Sequence, residues 1–222
     1  MNTFVIADLH FDHANIIKYC NRPYTDVEQM NEDLVKRWNA VVGKDDVVYI
    51  LGDFSLGREA IEKFTPRLNG TKYLIKGNHD TRPSQFYRDC GFKEVYDKPI
   101  IVDFYILSHE PLQLSETTPY FNYYGHVHND EKYKDTATSK CVSVERIGYM
   151  PWPIQWSHDN YLRTYSQLLR DRFEEEASKN NTEKSTHESW VDICKGHQNE
   201  AVVKLVEDIA ETLKNHKQRS IR

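Results

Sequence analysis

The run Tyr73-Leu74-Ile75-Lys76-Gly77-Asn78-His79-Asp80 decides how this 222-residue chain is read. It opens apolar and strand-forming, and it ends on an amide, an imidazole and a carboxylate. Alone, Gly-Asn-His-Asp is a polar turn, because Gly, Asn and Asp each suit turn backbones for separate reasons. Its company argues otherwise. Asp8-Leu9-His10, Gly52-Asp53, Ser108-His109 and Gly125-His126-Val127-His128 also each close a β-type run. All five clusters hold side chains able to bind a metal, and all stand at the ends of candidate strands.

Working outward, Thr3 to Ala7 reads as a buried strand, and Val47 to Leu51 is the clearest strand in the chain. Between them, residues 26–42 place Val27, Met30, Leu34 and Trp38 on one helical face, with Asp26 as the cap. Arg58 to Leu68 is a second helix, closed by Asn69-Gly70. Lys72 to Ile75 is the next strand, and Pro83 to Cys90 a short helix with Pro in its first turn. Strand and helix alternate up to this point, which predicts an α/β architecture with parallel early strands. Lys93–Tyr96, Ile100–Leu107, Phe121–Tyr124 and Cys141–Glu145 then read as strands without long helices between them, a mixed or antiparallel half packed on the first. Residues 129–140 read as a polar loop, and 110–120 as another, placed to flank a site. Asp159 to Phe173 has a helical pattern and closes a main domain over residues 1–173. Glu174 to Glu188 is polar enough to be an exposed linker. In the helical extension over 189–222, Val202, Leu205, Val206, Ile209 and Leu213 form a packing stripe, which docks on its own domain or pairs two copies as a homodimer.

Composition narrows the function classes. A hydrophobic fraction of 39% and a charged fraction of 28% suit a soluble globular chain with one sizeable core. Net charge is −5 and no Lys/Arg run stands out, which argues against gripping long nucleic acid by its phosphates. Small phosphorylated substrates stay open, since a bound metal adds positive charge that the residue count omits. Cys20, Cys90, Cys141 and Cys194 are far apart with no C-x-x-C pair, as expected of reduced structural thiols. Phe4 to Ala7 is too short for a signal-peptide core, and no apolar run nears the roughly 18 residues that span a bilayer. The expectation is a cytoplasmic protein with no membrane association.

Ligands in open α/β sheets gather where strands end. The residues converging there would be Asp8, His10, Asp53, Asn78, His79, His109, His126 and His128. Mixed imidazole and carboxylate donors favour a transition metal. These are more ligands than one tetrahedral ion takes, and a carboxylate can bridge two ions about 3.5–4 Å apart.

The series D-x-H, G-D, G-N-H-D, a further His, then G-H-x-H resembles the calcineurin-like metallophosphoesterase superfamily, small stand-alone bacterial and phage members included. The similarity of pattern covers about residues 1–172. The resemblance implies a four-layer sandwich of two packed mixed β-sheets flanked by helices, here with a C-terminal helical extension. It also implies a dinuclear site: Asp8, His10 and His128 on one ion, Asn78, His109 and His126 on the other, and Asp53 bridging. The ions are divalent, manganese first, with iron, zinc or nickel as alternatives. By the same resemblance a metal-bridging hydroxide attacks phosphorus, His79 stabilises the transition state or protonates the leaving oxygen, and Asp80 orients His79. Ser108 stands where many relatives have Gly. His13 and Asp12 are near enough in sequence to join the site, as supporting or surface residues.

Arg22, Arg58 and Arg82 are candidates to grip phosphate through a bidentate fork, Arg82 first because it follows His79 by three residues. No G-x-x-x-x-G-K-[ST] loop, G-x-S-x-G elbow or catalytic Cys–His motif is present. The expected activity is therefore hydrolysis of phosphomono- or phosphodiesters, with a small nucleotide or phosphorylated metabolite as substrate. The alternative is a nuclease or RNA-end phosphoesterase on the same fold, in which Trp152, Trp156, Tyr120, Tyr123 and Tyr124 would stack bases. A scaffold without metals is the third reading, and it would lack one or more of the ligands or His79; none is missing.

Overall fold

The computed structural model describes residues 1–115 and 118–154, and residues 1–154 form one compact unit. Phe4, Val5 and Ile6 are wholly buried, as befits a strand covered on both faces. That strand, β1 (Thr3–Ile6), lies parallel to β2 (Val47–Ile50), in register Ile6 to Ile50. Next to β2 comes β3 (Thr71–Ile75), parallel as expected. β4 (Glu94–Tyr96), read from the sequence as part of the second half, instead joins this sheet parallel to β3. On the far side of β1, the chain's return strand Trp152–Pro153 pairs antiparallel and completes a five-stranded sheet.

Helices connect the parallel strands. α1 (Ala14–Tyr19) follows the first cluster and has no counterpart in the sequence reading. α2 (Val27–Val41) begins where the Asp26 side chain accepts from Gln29 N, as the cap predicted. Its Met30, Leu34, Trp38 and Val41 are buried, and the Trp38 indole donates to the carbonyl of Asn69 just before β3. α3 (Arg58–Phe64) stops earlier than expected. Pro66 lacks the N–H that would extend the helix, so Thr65–Arg67 tightens into a 3-10 turn. α4 (Ser84–Asp89) has Pro83 at its cap rather than inside its first turn.

The second sheet has four strands: β5 (Ile100–Val102), β6 (Tyr105–Leu107), β7 (Phe121–Tyr124) and β8 (Ser139–Cys141). Ile100 to Leu107 is thus a hairpin rather than one strand, turning at Asp103 with φ +53°. β6, β7 and β8 are mutually parallel, so this sheet is mixed. The expected strand over 141–145 ends at Cys141. There the chain leaves its sheet: Val142 N donates to Tyr124 O, Ala7 N to Val142 O, and Val144 N to Ala7 O. Those bonds join the end of β8 to the end of β1, and Val144–Arg146 continues as a 3-10 turn.

Two mixed sheets flanked by helices make the α/β sandwich that the motifs implied. Cys20, Cys90 and Cys141 are free thiols. Among the described residues no helix is long and apolar enough to cross a membrane. The helix expected at Asp159–Phe173, the linker at 174–188 and the extension at 189–222 lie outside the described residues, as does the domain end at 173.

Candidate metal centre

β1, β2 and β3 point the same way, so Asp8-Leu9-His10, Gly52-Asp53 and Gly77-Asn78-His79-Asp80 leave one edge of the first sheet together. Parallel β6 and β7 deliver His109 and Gly125-His126-Val127-His128 from the second. Short bonds sew the two sets of loops into one site. The His109 ring reaches Leu51 O at 2.8 Å, and His126 N donates to Asp8 Oδ2 at 2.9 Å. Asp8 N donates to Gly52 O and His10 N to Asp53 O, after which pairing resumes between Phe11 and Ser55.

The backbone at these tips is left-handed at Asp8, His10, Asp12, Asp53, His126 and His128, with φ between +48° and +69°. Each such residue costs on the order of 1–3 kcal/mol and persists only where the surroundings enforce it. Asp and His tolerate that region better than most side chains do. Gly52 and Gly77 permit the close approach. A Cβ on Gly52, itself at φ +87°, would fall on His109 Nδ1, and one on Gly77 would meet the Asp53 carboxylate and backbone.

The donor atoms converge with too few protons to share. His109 Nδ1 faces a carbonyl, so it carries the ring hydrogen and its Nε2 holds a lone pair. That lone pair lies 3.0 Å from Asn78 Oδ1, 3.1 Å from His126 Nδ1 and 3.6 Å from Asp53 Oδ2. His10 Nε2 is 3.6 Å from the same Asp53 oxygen, and His128 Nε2 is 4.0 Å from Asp8 Oδ1. His10 Nε2 and Asp8 Oδ1 are buried and have no hydrogen-bond partner among the described residues. Buried polar atoms are rarely left unpaired, and inward-facing lone pairs repel unless a cation sits among them. Asp8, His10 and His128 form one group able to hold a metal, and Asp8, Asp53 and His109 another. The residues fit divalent ions.

Burial and neighbouring charges set the protonation of these groups together. Burial raises the Asp8 carboxyl above its usual range and lowers the His10 imidazole well below its own. Burial also pushes His128 down, but hydrogen bonds to Cys20 and Glu145 and the charges of Asp8 and Glu145 carry it up to about 11. Glu145, despite burial, is held at about 2 by Arg22 and His128.

The remaining expected residues separate. The His79 ring is half-exposed, its Nε2 3.9 Å from Asp53 Oδ2, while its backbone N donates to Asp53 Oδ1 at 2.9 Å. Asn78 and His126 are also exposed, so the site opens on that side. Asp80 is buried, and its oxygens accept from the backbone N–H groups of Asp53, Phe54 and Gly77 at 2.7, 3.2 and 2.9 Å. It staples the loop after β2 to the loop after β3. Arg82 is exposed, and among the described residues no hydrogen bond or ion pair holds its guanidinium. Arg58 is paired with Glu62 on the surface. Arg22 is no phosphate grip: it is 4% exposed and ion-paired with Glu145. Sequence spacing could not pair them, because 123 positions separate the two. His13 does sit at the site, its ring 5.3 Å from that of His10 and 6.5 Å from that of His79. Asp12 instead accepts from Asn31 on α2. Ser108 Oγ donates to Glu110 O and accepts from the wholly buried Asn122, bracing the turn that carries His109. Of the aromatic residues offered as base-stackers, Trp152, Tyr123 and Tyr124 are buried, Tyr120 is partly covered, and Trp156 lies outside the described residues.

Imidazoles, carboxylates and one amide oxygen, gathered from the strand ends of two sheets, make a candidate metal site. The calcineurin-like phosphoesterase family model matches residues 1–213, and the chain belongs to that family, whose members are metal-dependent hydrolases of phosphoric esters. Uncharacterized protein MJ1445 of Methanocaldococcus jannaschii is 38% identical over 160 residues, 67% of this chain and 84% of that protein. The Gene 66 protein of Mycobacterium phage L5 is 43% identical over 94 residues, 40% of this chain and 44% of the phage protein. The crystal structure of AQ665, a protein of unknown function from Aquifex aeolicus, superposes with a TM-score of 0.54 at 26% identity, covering 68% of this chain and 94% of that one.

Proposed function

We propose that the chain is a dinuclear phosphoesterase acting on phosphomono- or phosphodiester bonds of a small nucleotide or phosphorylated metabolite. One observation carries this reading: Asp53 Oδ2 lies 3.6 Å from His10 Nε2 and 3.6 Å from His109 Nε2, midway between two sets of donors. Asp8, His10 and His128 would hold one ion, and Asn78, His109 and His126 the second, with Asp53 shared. Divalent ions so held supply Lewis acidity toward phosphoryl oxygens and make a water nucleophilic near neutral pH. Manganese suits this mixed set of imidazole, carboxylate and amide oxygen, with iron, zinc or nickel as alternatives.

The chain's own groups divide the remaining work. Asp8 and Asp53 are the two carboxylates among the seven donors, so two divalent ions leave the site positive toward an anionic ester. His79, at the open side, is placed to donate to the leaving oxygen or to a phosphoryl oxygen. Arg82, exposed and unpaired among the described residues, is a cation available to the substrate phosphate. The burial of Trp152, Tyr123 and Tyr124 favours a small substrate over a polymer. Tyr19, 73% exposed and edge-on to His13, offers one flat surface where a base could stack.

The test is hydrolysis of p-nitrophenyl phosphate and bis-p-nitrophenyl phosphate with added Mn2+, alongside His79→Ala. Manganese-dependent release lost in the variant is expected, and the faster ester separates monoesterase from diesterase. An absence of bound metal and of turnover on both esters would overturn the proposal.

A further inference from the structure

Behind the donor atoms lies a buried ion pair that belongs to none of the motifs. Arg22 is 4% exposed and Glu145 3%. Arg22 Nε and Nη2 lie 2.9 and 2.7 Å from the same oxygen, Glu145 Oε1. The guanidinium also donates to Asp8 O at 2.7 Å and to Leu9 O at 3.0 Å. It therefore grips the backbone of the turn in which Asp8 and His10 hold left-handed φ. Glu145 Oε1 in turn lies 3.0 Å from His128 Nδ1.

Cys20, His128 and Glu145 bring ligand-type atoms within 4.8 Å of one another, yet they make a poor cation site. The Arg22 guanidinium, 2.7 Å from Glu145 Oε1, already brings a positive charge that opposes a cation there. A supporting role fits better. A neutral imidazole has one N–H; with Nδ1–H donated to Glu145, the lone pair is on Nε2, the nitrogen that faces Asp8 Oδ1. Carboxylates that orient metal-binding histidines in this way fix both tautomer and ring direction.

We infer that Arg22 and Glu145 are positioning residues of the metal centre. Glu145 sets His128 with Nε2 toward Asp8 and His10, and Arg22 anchors both Glu145 and the Asp8–Leu9 carbonyls. The inference rests on the two-metal reading above, and it forecasts a one-sided defect. Losing the Glu145 charge weakens the ion held by Asp8, His10 and His128 and spares the ion held by Asn78, His109 and His126.

The experiment titrates the full chain and Glu145→Gln with Mn2+ by calorimetry, and records long-range 1H–15N spectra of the histidine rings with Zn2+ bound. Two ions on the wild type are expected, with one of them bound about 10–100-fold more weakly by the variant. The wild-type spectrum should show His128 protonated on Nδ1. Two ions bound by Glu145→Gln at unaltered affinity, or Zn2+ held through His128 Nδ1, would overturn the inference and leave the two-metal reading standing. Fewer than two ions on the wild type would instead remove that reading. A double variant, Arg22→Met with Glu145→Gln, avoids a lone buried charge should the single one not fold. If neither folds, the wild-type ring spectrum decides.

Discussion

His79 and His128 are both histidines at the same edge, yet their surroundings give them opposite tasks. Among the described residues the half-exposed His79 ring comes no closer than 3.9 Å to a carboxylate, which supports the proposal that it meets substrate. His79→Ala should lower kcat by about 10²–10⁴, the usual worth of a general acid, with Mn2+ stoichiometry unchanged. An unaltered kcat would end that assignment. His128, in contrast, holds a proton up to about pH 11 through Cys20, Glu145 and Asp8 although burial opposes it. A metal must displace that proton, so binding should release protons at neutral pH and strengthen as pH rises. Calorimetry of Mn2+ binding in buffers of different ionisation heat measures the release, and a heat independent of buffer would contradict it. In the metal-free protein the sign for stability is the reverse. A raised imidazole stabilises fully below its unfolded pKa of about 6.5 and loses that contribution as pH climbs through about 11. Glu145, held at about 2 by Arg22 and His128 against its burial, contributes above about 4.5 and loses it as pH falls through about 2.

At the scale of elements, the loops after β2 and β3 matter more than the strands. Asp80 accepts from backbone N–H groups on both loops, so its removal leaves buried donors unpaired. Asp80→Asn keeps one carbonyl oxygen and should destabilise by about 1–3 kcal/mol, read as a lower midpoint in urea. Were Asp80 instead the orienting partner of His79, the pH–rate profile would move and stability would not. Gly77→Ala tests the same junction from the backbone side. Its Cβ would press on Asp53 and on the His109 ring, and overpacking of this kind costs about 1–3 kcal/mol. Because Asp53 lies between both donor sets, the variant should also lose bound metal, as metal analysis after gel filtration would show. Full metal content in Gly77→Ala would mean that the junction is looser than its geometry indicates.

For the whole molecule, the site belongs to neither sheet. His109 reaches across to Leu51 O, Asp8 accepts from His126 N, and the Val142–Val144 crossing ties β8 to β1. Metal that binds across this seam binds only the folded state, so it should stabilise the entire unit. At Mn2+ near 100 times its Kd, each ion adds about 2.7 kcal/mol, or a rise of roughly 5–10 °C in Tm for a chain of this size. Differential scanning calorimetry with Mn2+ or EDTA measures it, and a Tm indifferent to both would speak against ions bridging the two sheets.

How much was legible in the sequence depended on whether the signal was local. Asp8, His10, Asp53 and Asn78 were legible as one cluster because each ends an apolar run and parallel runs deliver their ends to one edge; the parallel pairing of β6 and β7 that brings His109, His126 and His128 to it was not. The α2 face and the Asp26 cap were equally plain, being patterns of three and four residues. What failed were readings that needed a partner far along the chain. Arg22 looked like a phosphate grip until the fold set it against Glu145, and spacing could not show that Asp80, read as orienting His79, also accepts from amides on two loops. Trp152 and Tyr123 looked like stacking surfaces until the sheets covered them. Which donors exist, and that the first of them leave strand ends, could be read from residue order, because side-chain chemistry and strand-forming runs are local properties. Which lone pairs face one another and which charges are buried came from the fold, because those depend on contacts between segments that spacing along the chain does not record.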